Sequence, residues 1–270
     1  MRLEAKRVSK TFRSRRGGHA VSAVKEASFV AQPGQFVAIV GESGSGKSTL
    51  ARLLLYLIEP TSGSVELDGA PVNRRDRAAA ISYRRNVQAV LQDPAGSLNP
   101  RKRIDQTIGE VIRLHDIARR AADVRRKTEE VLDIVGMSPA ERFLDRYPHE
   151  LSGGQRQRVL IARAIALNPK IIVADEAISA LDASVKAGVL KVMVDLKERL
   201  GVGYVFITHD LPVVRKVADY VYVMKAGEIV EHGEKDKIFD SPAHPYTRML
   251  LDSAPVLPSH RPPAHEEGIR

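Results

Sequence analysis

Short, unbroken runs of apolar residues alternate with longer amphipathic segments along this chain. Residues 36–40, 170–176 and 203–210 have the sequences FVAIV, KIIVADE and GYVFITHD, each with an apolar run of strand length. Unbroken apolar runs of this length predict strands that are buried on both faces, and the third strand is predicted to end at His209. Because helical patterns separate them, we predict an α/β fold built on a mainly parallel sheet.

Two helices are predicted from apolar residues that recur on one face. Residues 48–58 repeat leucine and isoleucine at intervals of three and four positions, which is the period of an amphipathic helix. Residues 183–200 have a similar pattern. Gly201 is predicted to end that helix, because glycine tolerates the left-handed conformation common at helix C-termini.

Further strands are predicted where apolar residues precede turn residues. Residues 21–35 contain a short strand-like run that ends at Pro-Gly, and residues 63–69 contain one that ends at Asp-Gly. Both pairs favour tight turns. Residues 219–233 are predicted to form a hairpin that turns at 225–227.

The composition changes between about 95 and 165. This stretch is rich in Arg, Ala, Glu and Leu, with a helical period in TIGEVIRLHDI and in KTEEVLDIVGM. We predict a helical subdomain inserted between two halves of the sheet. Prolines are frequent near the C-terminus, and residues 253–270 are predicted to form a loosely held tail.

The composition excludes several classes of protein. Hydrophobic residues make up 43% of the 270 positions, which is enough for a substantial core. With no cysteines, disulfides, thiolate zinc sites and cysteine-ligated clusters are excluded. No apolar run approaches the roughly 20 residues that span a bilayer. The first ten residues lack the apolar stretch of a signal peptide, so we expect a cytosolic or cytosol-facing protein.

The formal net charge of +9 comes mostly from scattered arginines. A nucleic-acid partner is one explanation of this charge; solvated faces with some attraction to anionic lipid heads are the other. Tryptophan is absent, aromatic residues are 5% of the chain, and no basic run is interleaved with aromatics. We therefore expect no nucleic-acid partner.

Residues 41–49, GESGSGKST, fit the phosphate-binding loop pattern G-x-x-x-x-G-K-[ST]. They lie between a predicted strand and a predicted helix, which makes a chance match a poor explanation. The glycines let backbone N–H groups converge on phosphate, Lys47 adds a charge at the β- and γ-phosphates, and the Ser48 hydroxyl can ligate Mg²⁺. The candidate nucleotide-binding residues of the loop are Gly41, Glu42, Ser43, Gly44, Ser45, Gly46, Lys47, Ser48 and Thr49.

Two carboxylates, Asp175 and Glu176, directly follow an apolar run. Ligands of parallel sheets bind at the carboxyl ends of strands, so Asp175 is predicted to reach Mg²⁺, directly or through water. Glu176 is predicted to orient and deprotonate a water for in-line attack on the γ-phosphate. A solvated acidic turn is the alternative, and it leaves the desolvation of both carboxylates without compensation.

A second candidate anion site, LSGGQ at 151–155, precedes a predicted helix. Ser152 suits a helix N-cap, and the paired glycines expose N–H groups at the positive end of the helix dipole. A spare anion site is useful if it closes on the nucleotide of another subunit. A flexible linker with a helix cap is an equal alternative on these residues alone. The candidate residues are Ser152, Gly153, Gly154 and Gln155.

Six motifs occur in a fixed order along the chain: GESGSGKST, Gln92, LSGGQ, VADE, SALD at 179–182 and His209. Together they resemble the ATP-binding cassette (ABC) ATPases. The resemblance implies a P-loop NTPase fold of the ABC type, with a mainly parallel sheet core, an antiparallel β subdomain and a helical subdomain. It also implies a nucleotide-binding domain at 1–252 and two cassettes that face each other head to tail around two ATP molecules.

The resemblance assigns roles to single residues. Phe12 corresponds to the aromatic residue that stacks on adenine, and Asp182 to the loop that communicates across the dimer. Gln92 corresponds to the glutamine that contacts Mg²⁺ and the attacking water, and His209 to the histidine that holds the γ-phosphate. Without the other motifs, Gln92 would be interpreted as a surface loop residue and His209 as a structural residue. The implied catalytic residues are Glu176, His209 and Lys47, and the implied metal-site residues are Ser48, Gln92 and Asp175.

The chain departs from the family directly after Glu176. Ala177 and Ile178 stand where the family usually has Pro-Thr. Proline stiffens such a turn, so its loss puts the local rigidity in question. Because the glutamate itself is present, we still expect hydrolysis.

A narrower resemblance is to the ATPases of oligopeptide, dipeptide and nickel importers. It depends on SLNPR at 97–101, YPHELSGGQRQRV at 147–159 and SPAHPYTRMLLDSAP at 241–255. It implies an ATP- and Mg²⁺-dependent subunit of a prokaryotic importer, held peripherally at the cytoplasmic face of the inner membrane. The implied partners are two transmembrane permease subunits, a second ATPase subunit (a paralogue or this chain itself) and, indirectly, an extracytoplasmic substrate-binding protein.

Two other functions are compatible with part of the sequence. One is a soluble ABC ATPase that acts on nucleic acid or ribosomes, although the sequence predicts neither the two cassettes nor the long coiled coils usual in such proteins. The other is a P-loop kinase or a nucleotide-binding module without hydrolysis, in which LSGGQ and His209 have no role.

Overall fold

The computed structural model of the chain describes residues 1–13, 20–73, 75–91 and 94–253. Within them the strands are β1 (Leu3–Phe12), β2 (Val21–Ala31), β3 (Phe36–Val40), β4 (Ser62–Leu67), β5 (Ala70–Pro71), β6 (Val87–Val90), β7 (Ile171–Asp175), β8 (Gly203–Ile207), β9 (Tyr220–Lys225) and β10 (Glu228–Glu234). The α-helices are α1 (Lys47–Leu54), α2 (Arg77–Asn86), α3 (Pro94–Ser97), α4 (Ile104–Leu114), α5 (Ala121–Ile134), α6 (Glu141–Leu144), α7 (Gly153–Ile165), α8 (Ala183–Leu200), α9 (Leu211–Val217), α10 (Lys235–Asp240) and α11 (Pro245–Asp252). No helix of this part of the chain is long and apolar enough to cross a bilayer.

A six-stranded sheet in the order β10-β9-β3-β8-β7-β6 forms the core. Strands β9, β3, β8, β7 and β6 are parallel, and β10 pairs with β9 in the antiparallel sense. Val37 of β3 lies opposite Val205 of β8 on one side and Tyr220 of β9 on the other. The predicted mainly parallel sheet is therefore confirmed, and the strand that precedes the glycine loop lies inside it.

Both faces of this sheet are covered, which explains why its strands are apolar throughout. All five residues of β3 are buried. Val37 and Ile39 pack in a cluster with Leu50 of α1, whereas Phe36 points to the opposite face and packs with Leu160 of α7. A strand with no solvent-facing side needs no alternation of polar and apolar residues.

A four-stranded antiparallel sheet in the order β2-β1-β4-β5 contributes to the same core. The sequence patterns do not predict β1. Its buried residues Leu3, Ala5 and Val8 are spaced by two and then by three, because the register shifts between Ala5 and Val8, where Arg7 has a φ of 46°. An irregularity of this kind breaks the two-residue period that identifies a strand. β2 also has eleven residues, more than the short strand expected.

Helices α3 to α7 lie along the chain between β6 and β7, which are adjacent strands with Val87 opposite Ile171. They occupy most of the stretch from about 95 to 165. Ile108 of α4, Val131 of α5 and Leu160 of α7 belong to one buried cluster, which also includes residues of the sheet. The helices are thus packed on the sheet face opposite α1.

Helix α1 is shorter than its apolar pattern predicts. It ends at Leu54 instead of residue 58. The chain turns back at this point, because Tyr56 has a φ of 52° and the N–H of Leu57 donates to the carbonyl of Arg52. Leu57 is consequently 53% exposed, although its spacing placed it on the buried face.

The C-terminal elements agree more closely with the patterns. α8 ends as predicted, with Gly201 at a φ of 65°. The hairpin forms between β9 and β10 and turns at Ala226 and Gly227, both with positive φ. β8 differs from the prediction, since it ends at Ile207 and leaves His209 just beyond the strand.

Candidate nucleotide-binding site

The glycine loop between β3 and α1 has a backbone shape that suits phosphate. Gly41, Gly44 and Gly46 have φ values of 149°, 79° and 104°, which side chains disfavour. A Cβ at Gly41 would lie 2.1 Å from the carbonyl oxygen of Met224, and a Cβ at Gly46 would lie 2.3 Å from that of Ala23. Glycine is therefore required at both positions, and the curled loop opens the N-terminus of α1 to an anion.

Lys47 lies inside this loop and is only 6% exposed. Its ammonium group donates to the carbonyl oxygens of Gly41, at 2.8 Å, and Glu42, at 2.7 Å. Burial lowers the pKa of Lys47, and the carboxylates of Glu176, Asp175 and Glu42 oppose that shift. The loop thus holds one buried amine next to two carboxylates from the end of β7.

Ser48 and Asp175 form a hydrogen-bonded pair of candidate oxygen ligands beside the lysine. The Ser48 hydroxyl donates to the Asp175 carboxylate, with 3.2 Å between the oxygens. Burial raises the pKa of Asp175 and nearby Glu176 raises it further, whereas the Ser48 hydrogen bond lowers it. Mg²⁺ in nucleotide sites takes one or two protein oxygens together with phosphate and water oxygens. The pair fits this role, since a cation would offset the cost of burying the carboxylate.

Glu176 and His209 meet at the same edge of the sheet. Oε1 of Glu176 lies 3.5 Å from Nδ1 of His209, a contact that becomes an ion pair when the imidazole is protonated. The backbone of Glu176 has a φ of 48°, in the left-handed region that non-glycine residues seldom adopt. Its N–H donates to the Ile207 carbonyl at 2.9 Å and holds this conformation. Strained backbone of this kind is frequent at functional sites, and no sequence pattern indicated it.

The turn after Glu176 is held without the proline that the family usually has. Ala177 and Ile178 are 3% and 2% exposed and pack in the core. The N–H and the hydroxyl of Ser179 both donate to the Glu176 carbonyl, at 3.1 and 2.9 Å. Burial and two hydrogen bonds therefore restrain the segment. Ser179 was noted as part of the SALD motif, but sequence reasoning did not predict that it supports Glu176.

The LSGGQ segment begins α7 and forms a reciprocal cap. The hydroxyl of Ser152 accepts from the N–H of Gln155 at 3.3 Å, and the Gln155 side chain accepts from the N–H of Ser152 at 3.0 Å. A Cβ at Gly154 would lie 2.3 Å from Cγ1 of Val185 in α8. The helix cap is therefore present, and Gly154 is required for close packing of α7 on α8.

Two other candidate residues, Phe12 and Asp182, have different surroundings. Phe12 ends β1, is 43% exposed, and has the Lys10 ammonium 5.5 Å from its ring centroid. Asp182 is exposed at the N-terminus of α8. Gln92 lies outside the described residues. The structure brings together one group of candidate residues at the sheet edge: Lys47, Ser48, Asp175, Glu176 and His209.

Comparison with protein families identifies the class of this molecule. Residues 24–179, more than half of the chain, match the family described as ABC transporter. Residues 230–268 match the C-terminal region of oligopeptide/dipeptide transporters. The chain therefore belongs to the ABC transporter family, and the predicted resemblance to the oligopeptide/dipeptide importer branch is confirmed.

Solved structures of ATP-binding cassettes share the fold. The cassette MJ0796, in a dimeric post-hydrolysis state bound to ADP and Pi, has a TM-score of 0.75 and 32% identity over 86% of this chain and 98% of its own. CbiO1 from Clostridium perfringens, part of the ABC transporter complex cbiONQ, has a TM-score of 0.76 and 26% identity over 88% of this chain and 90% of its own. The predicted ABC-type fold is therefore confirmed.

Curated relatives are longer than this chain. The glutathione import ATP-binding protein GsiA of Pectobacterium atrosepticum is 44% identical over 242 residues, which are 89% of this chain and 38% of GsiA. GsiA of Escherichia coli K12 is also 44% identical, over 90% of this chain and 39% of the relative. The chain spans less than half the length of these relatives.

Proposed function

We propose that this chain is the ATP-hydrolysing subunit of a prokaryotic ABC importer and converts ATP and water to ADP and phosphate. The observation that carries the proposal is the convergence of Lys47, the Ser48–Asp175 pair and the Glu176–His209 pair where β3 and β7 end. Phosphoryl transfer to water requires a cation at the phosphates, ligands for a metal ion, a base for the attacking water and a hydrogen-bond donor to the γ-phosphate. These five residues supply each of these groups.

Each residue has one task in the proposed reaction. The loop N–H groups and Lys47 hold the β- and γ-phosphates of ATP. Glu176 accepts a proton from the attacking water, whose oxygen bonds to the γ-phosphorus while the bond from that phosphorus to the ADP oxygen breaks. His209 holds an oxygen of the γ-phosphate. The hydrogen bonds of Ser179 keep the Glu176 turn in the geometry for this step.

Residues for binding Mg²⁺ and the adenine ring complete the proposed site. Mg²⁺ would be held by Ser48 and Asp175, with Gln92 as a further ligand, and would neutralise charge on the phosphate oxygens. Phe12 provides an exposed ring that adenine can stack on, which its 43% exposure allows.

The second anion site is proposed to serve the nucleotide of a neighbouring subunit. Residues 152–155 present the N-terminus of α7, and their tight packing on α8 supports a preformed surface over a flexible linker. Asp182 lies at the start of the same α8 and would contact the neighbour as well. The dimeric structures of the MJ0796 cassette support a pair of cassettes, and the head-to-tail arrangement is the one that the family resemblance implies. The second subunit is a paralogue or another copy of this chain.

Partners and cargo are proposed from the C-terminal segment and the relatives. The match to the oligopeptide/dipeptide transporter C-terminal region and the glutathione-import relatives support short peptides as cargo, with nickel as the alternative. Two permease subunits would contact the segment around SLNPR at 97–101, and a substrate-binding protein would act through them. The chain would then lie at the cytoplasmic face of the inner membrane and bind no nucleic acid.

The domain organisation is part of the proposal. Residues 1–252 are proposed to form one nucleotide-binding domain, with a helical subdomain at about 95–165 inserted in its core. The position of α3 to α7 between the adjacent strands β6 and β7 supports this division. Residues 253–270 are proposed as a C-terminal tail.

Phosphate release from ATP tests the proposal. Wild-type protein with Mg²⁺ and no phosphoryl acceptor is assayed alone, with vesicles that contain the co-expressed permease subunits, and with ribosomes or DNA. We expect slow release alone and a several-fold increase with the vesicles. No release under any condition would contradict ATPase function, and stimulation by ribosomes or DNA alone would favour the soluble ABC ATPase.

A further inference from the structure

The C-terminal helix α11 reaches back to the glycine loop through one side chain. The hydroxyl of Tyr246 accepts a hydrogen bond from the backbone N–H of Glu42, with 3.1 Å between the atoms. Glu42 is the second residue of GESGSGKST, and Tyr246 belongs to the HPYT sequence of the C-terminal segment. Tyr246 is 3% exposed, so no water competes freely for this bond.

Several contacts fix the position of the tyrosine ring. The N–H of His244 donates to the carboxylate of Glu231 in β10 at 3.1 Å, and the imidazole of His244 then accepts from the N–H of Tyr246 at 3.1 Å. The ammonium group of Lys225, next to the hairpin turn, lies 4.7 Å from the Tyr246 ring centroid. The hydroxyl is therefore presented to the loop from a defined direction by β9 and β10.

Glu42 is a sensitive point of the loop. Its carbonyl oxygen accepts from the Lys47 ammonium at 2.7 Å and from the Ser45 N–H at 3.2 Å. The Glu42 N–H lies in the same planar peptide as the Gly41 carbonyl, which also accepts from the Lys47 ammonium, at 2.8 Å. Any rotation of this peptide would move a carbonyl that positions Lys47. On the other side of the loop, the Gly227 N–H donates to the Ser45 carbonyl at 2.9 Å. The hairpin turn and α11 thus each support the loop at one point, through Gly227 and Tyr246 respectively.

We propose that Tyr246 is a positioning residue for the phosphate loop: its hydroxyl fixes the Gly41–Glu42 peptide, and through the Gly41 carbonyl it positions the lysine that binds the triphosphate. The inference rests on the proposed ATPase function. Because the Glu42 N–H is directed to Tyr246, the anion-binding donors of the loop are the N–H groups beyond Glu42. The HPYT sequence then contributes to ATP affinity without contacting ATP.

Tyr246→Phe tests this directly, because it removes the hydroxyl and keeps the ring. Tyr222→Phe is the matched control, since the Tyr222 hydroxyl also accepts from a backbone N–H, that of Val30 at 3.2 Å, in another part of the molecule. We expect Tyr246→Phe to weaken ATP and ADP binding about three- to tenfold by calorimetry, while Tyr222→Phe changes it less than about twofold. The two variants should lose similar thermal stability.

A merely structural role would lower the melting temperature of Tyr246→Phe and leave the nucleotide Kd within about twofold of wild type, and that result would overturn the inference. Hydrogen exchange of the Glu42 amide is the second measurement, and it needs no nucleotide. The amide should exchange slowly in wild type and in Tyr222→Phe but at least about fivefold faster in Tyr246→Phe. Equal exchange rates would overturn the inference, whereas wild-type protein that binds no ATP would contradict the proposed function alone.

Discussion

The Ser48 hydroxyl donates a 3.2 Å hydrogen bond to the Asp175 carboxylate across 127 positions of sequence. Ser48 lies in the first turn of α1, and Asp175 is the last residue of β7. The strands that lead to them are not neighbours, because β8 lies between β3 and β7. α1 packs across the sheet onto β7 and β8, so this pair of proposed metal ligands is a product of that crossing.

Glu176→Gln should abolish steady-state hydrolysis and retain ATP affinity. The amide cannot accept the proton of the attacking water, whereas the glycine loop and Lys47 are unchanged. Phosphate release and ATP binding by calorimetry are measured on the same preparation, with Glu198→Gln on the exposed surface of α8 as the control. Turnover within a few-fold of wild type would remove Glu176 from the role of base.

Lys47→Ala should impair the binding of ATP, a step that precedes the hydrolysis affected by Glu176→Gln. It removes a buried positive charge beside the phosphate loop and should weaken ATP binding by about 1–3 kcal/mol. Calorimetric titration with ATP measures this, and the exposed Lys191→Ala serves as a control of equal charge change. An ATP Kd equal to that of wild type would contradict the assignment of the loop.

Ser152→Arg should silence the ATP site of the partner subunit and spare the site around its own Lys47. Arginine at this position loses the cap of α7 and fills the surface that faces the partner's nucleotide. Mixing Ser152→Arg with Lys47→Ala subunits in one assembly measures this. If the chain pairs with itself, one composite site survives and partial activity returns.

One outcome of that mixing experiment has another meaning. If the chain pairs only with a paralogue, no mixed dimer forms and neither variant restores the other.

The isolated chain should also be largely monomeric with slow turnover, since each subunit has half of each site. Full turnover by a demonstrated monomer would contradict the shared site.

Gly154→Ala should destabilise the packing of α7 on α8. The new Cβ would lie 2.3 Å from Cγ1 of Val185, whereas at Gly153 a Cβ would lie 3.3 Å from Cδ2 of Leu181. Overpacking costs about 1–3 kcal/mol, so the melting temperature of Gly154→Ala should fall by roughly 2–10 °C. Gly153→Ala is the matched control with a small change. Equal melting temperatures for the two variants would contradict the packing argument.

Glu231→Gln should lower stability in a pH-dependent way. Glu231 accepts from the N–H groups of Ala243 and His244. Burial alone raises the pKa of Glu231, but the donors around it outweigh burial and hold the pKa below its ordinary value. The Thr247 hydroxyl is also near, but it makes no hydrogen bond of normal geometry, so we attribute the shift to the backbone donors.

A carboxylate with a lowered folded-state pKa stabilises the protein above its unfolded pKa, which is about 4.3 for Glu. This contribution is lost as the pH falls through the folded-state pKa. Glu231→Gln should therefore lower the melting temperature by about 2–4 °C at neutral pH and by progressively less below about pH 4. Thermal melts of variant and wild type at neutral pH and below about pH 4 measure this difference in melting temperature. A difference between variant and wild type that does not change with pH would contradict the prediction.

The sequence by itself determined the local elements and the chemistry available to the site. The apolar run of β3, the period of α8 with Gly201 at its end and the hairpin turn at 225–227 depend on residues close together in sequence. GESGSGKST and LSGGQ could be recognised for the same reason, because their turn and cap preferences are local. These segments were sufficient to predict the fold class and most candidate residues.

Only the tertiary structure decided which distant groups meet and which backbone strain is tolerated. The left-handed backbone of Glu176, the requirement for glycine at Gly154 and the Tyr246–Glu42 hydrogen bond depend on segments that approach after folding. β1 could not be predicted from the sequence because a register shift breaks the two-residue period of its buried positions. The physical reason is common to all of them: side-chain packing and buried hydrogen bonds are set by the approach of surfaces, which no local pattern of residues specifies.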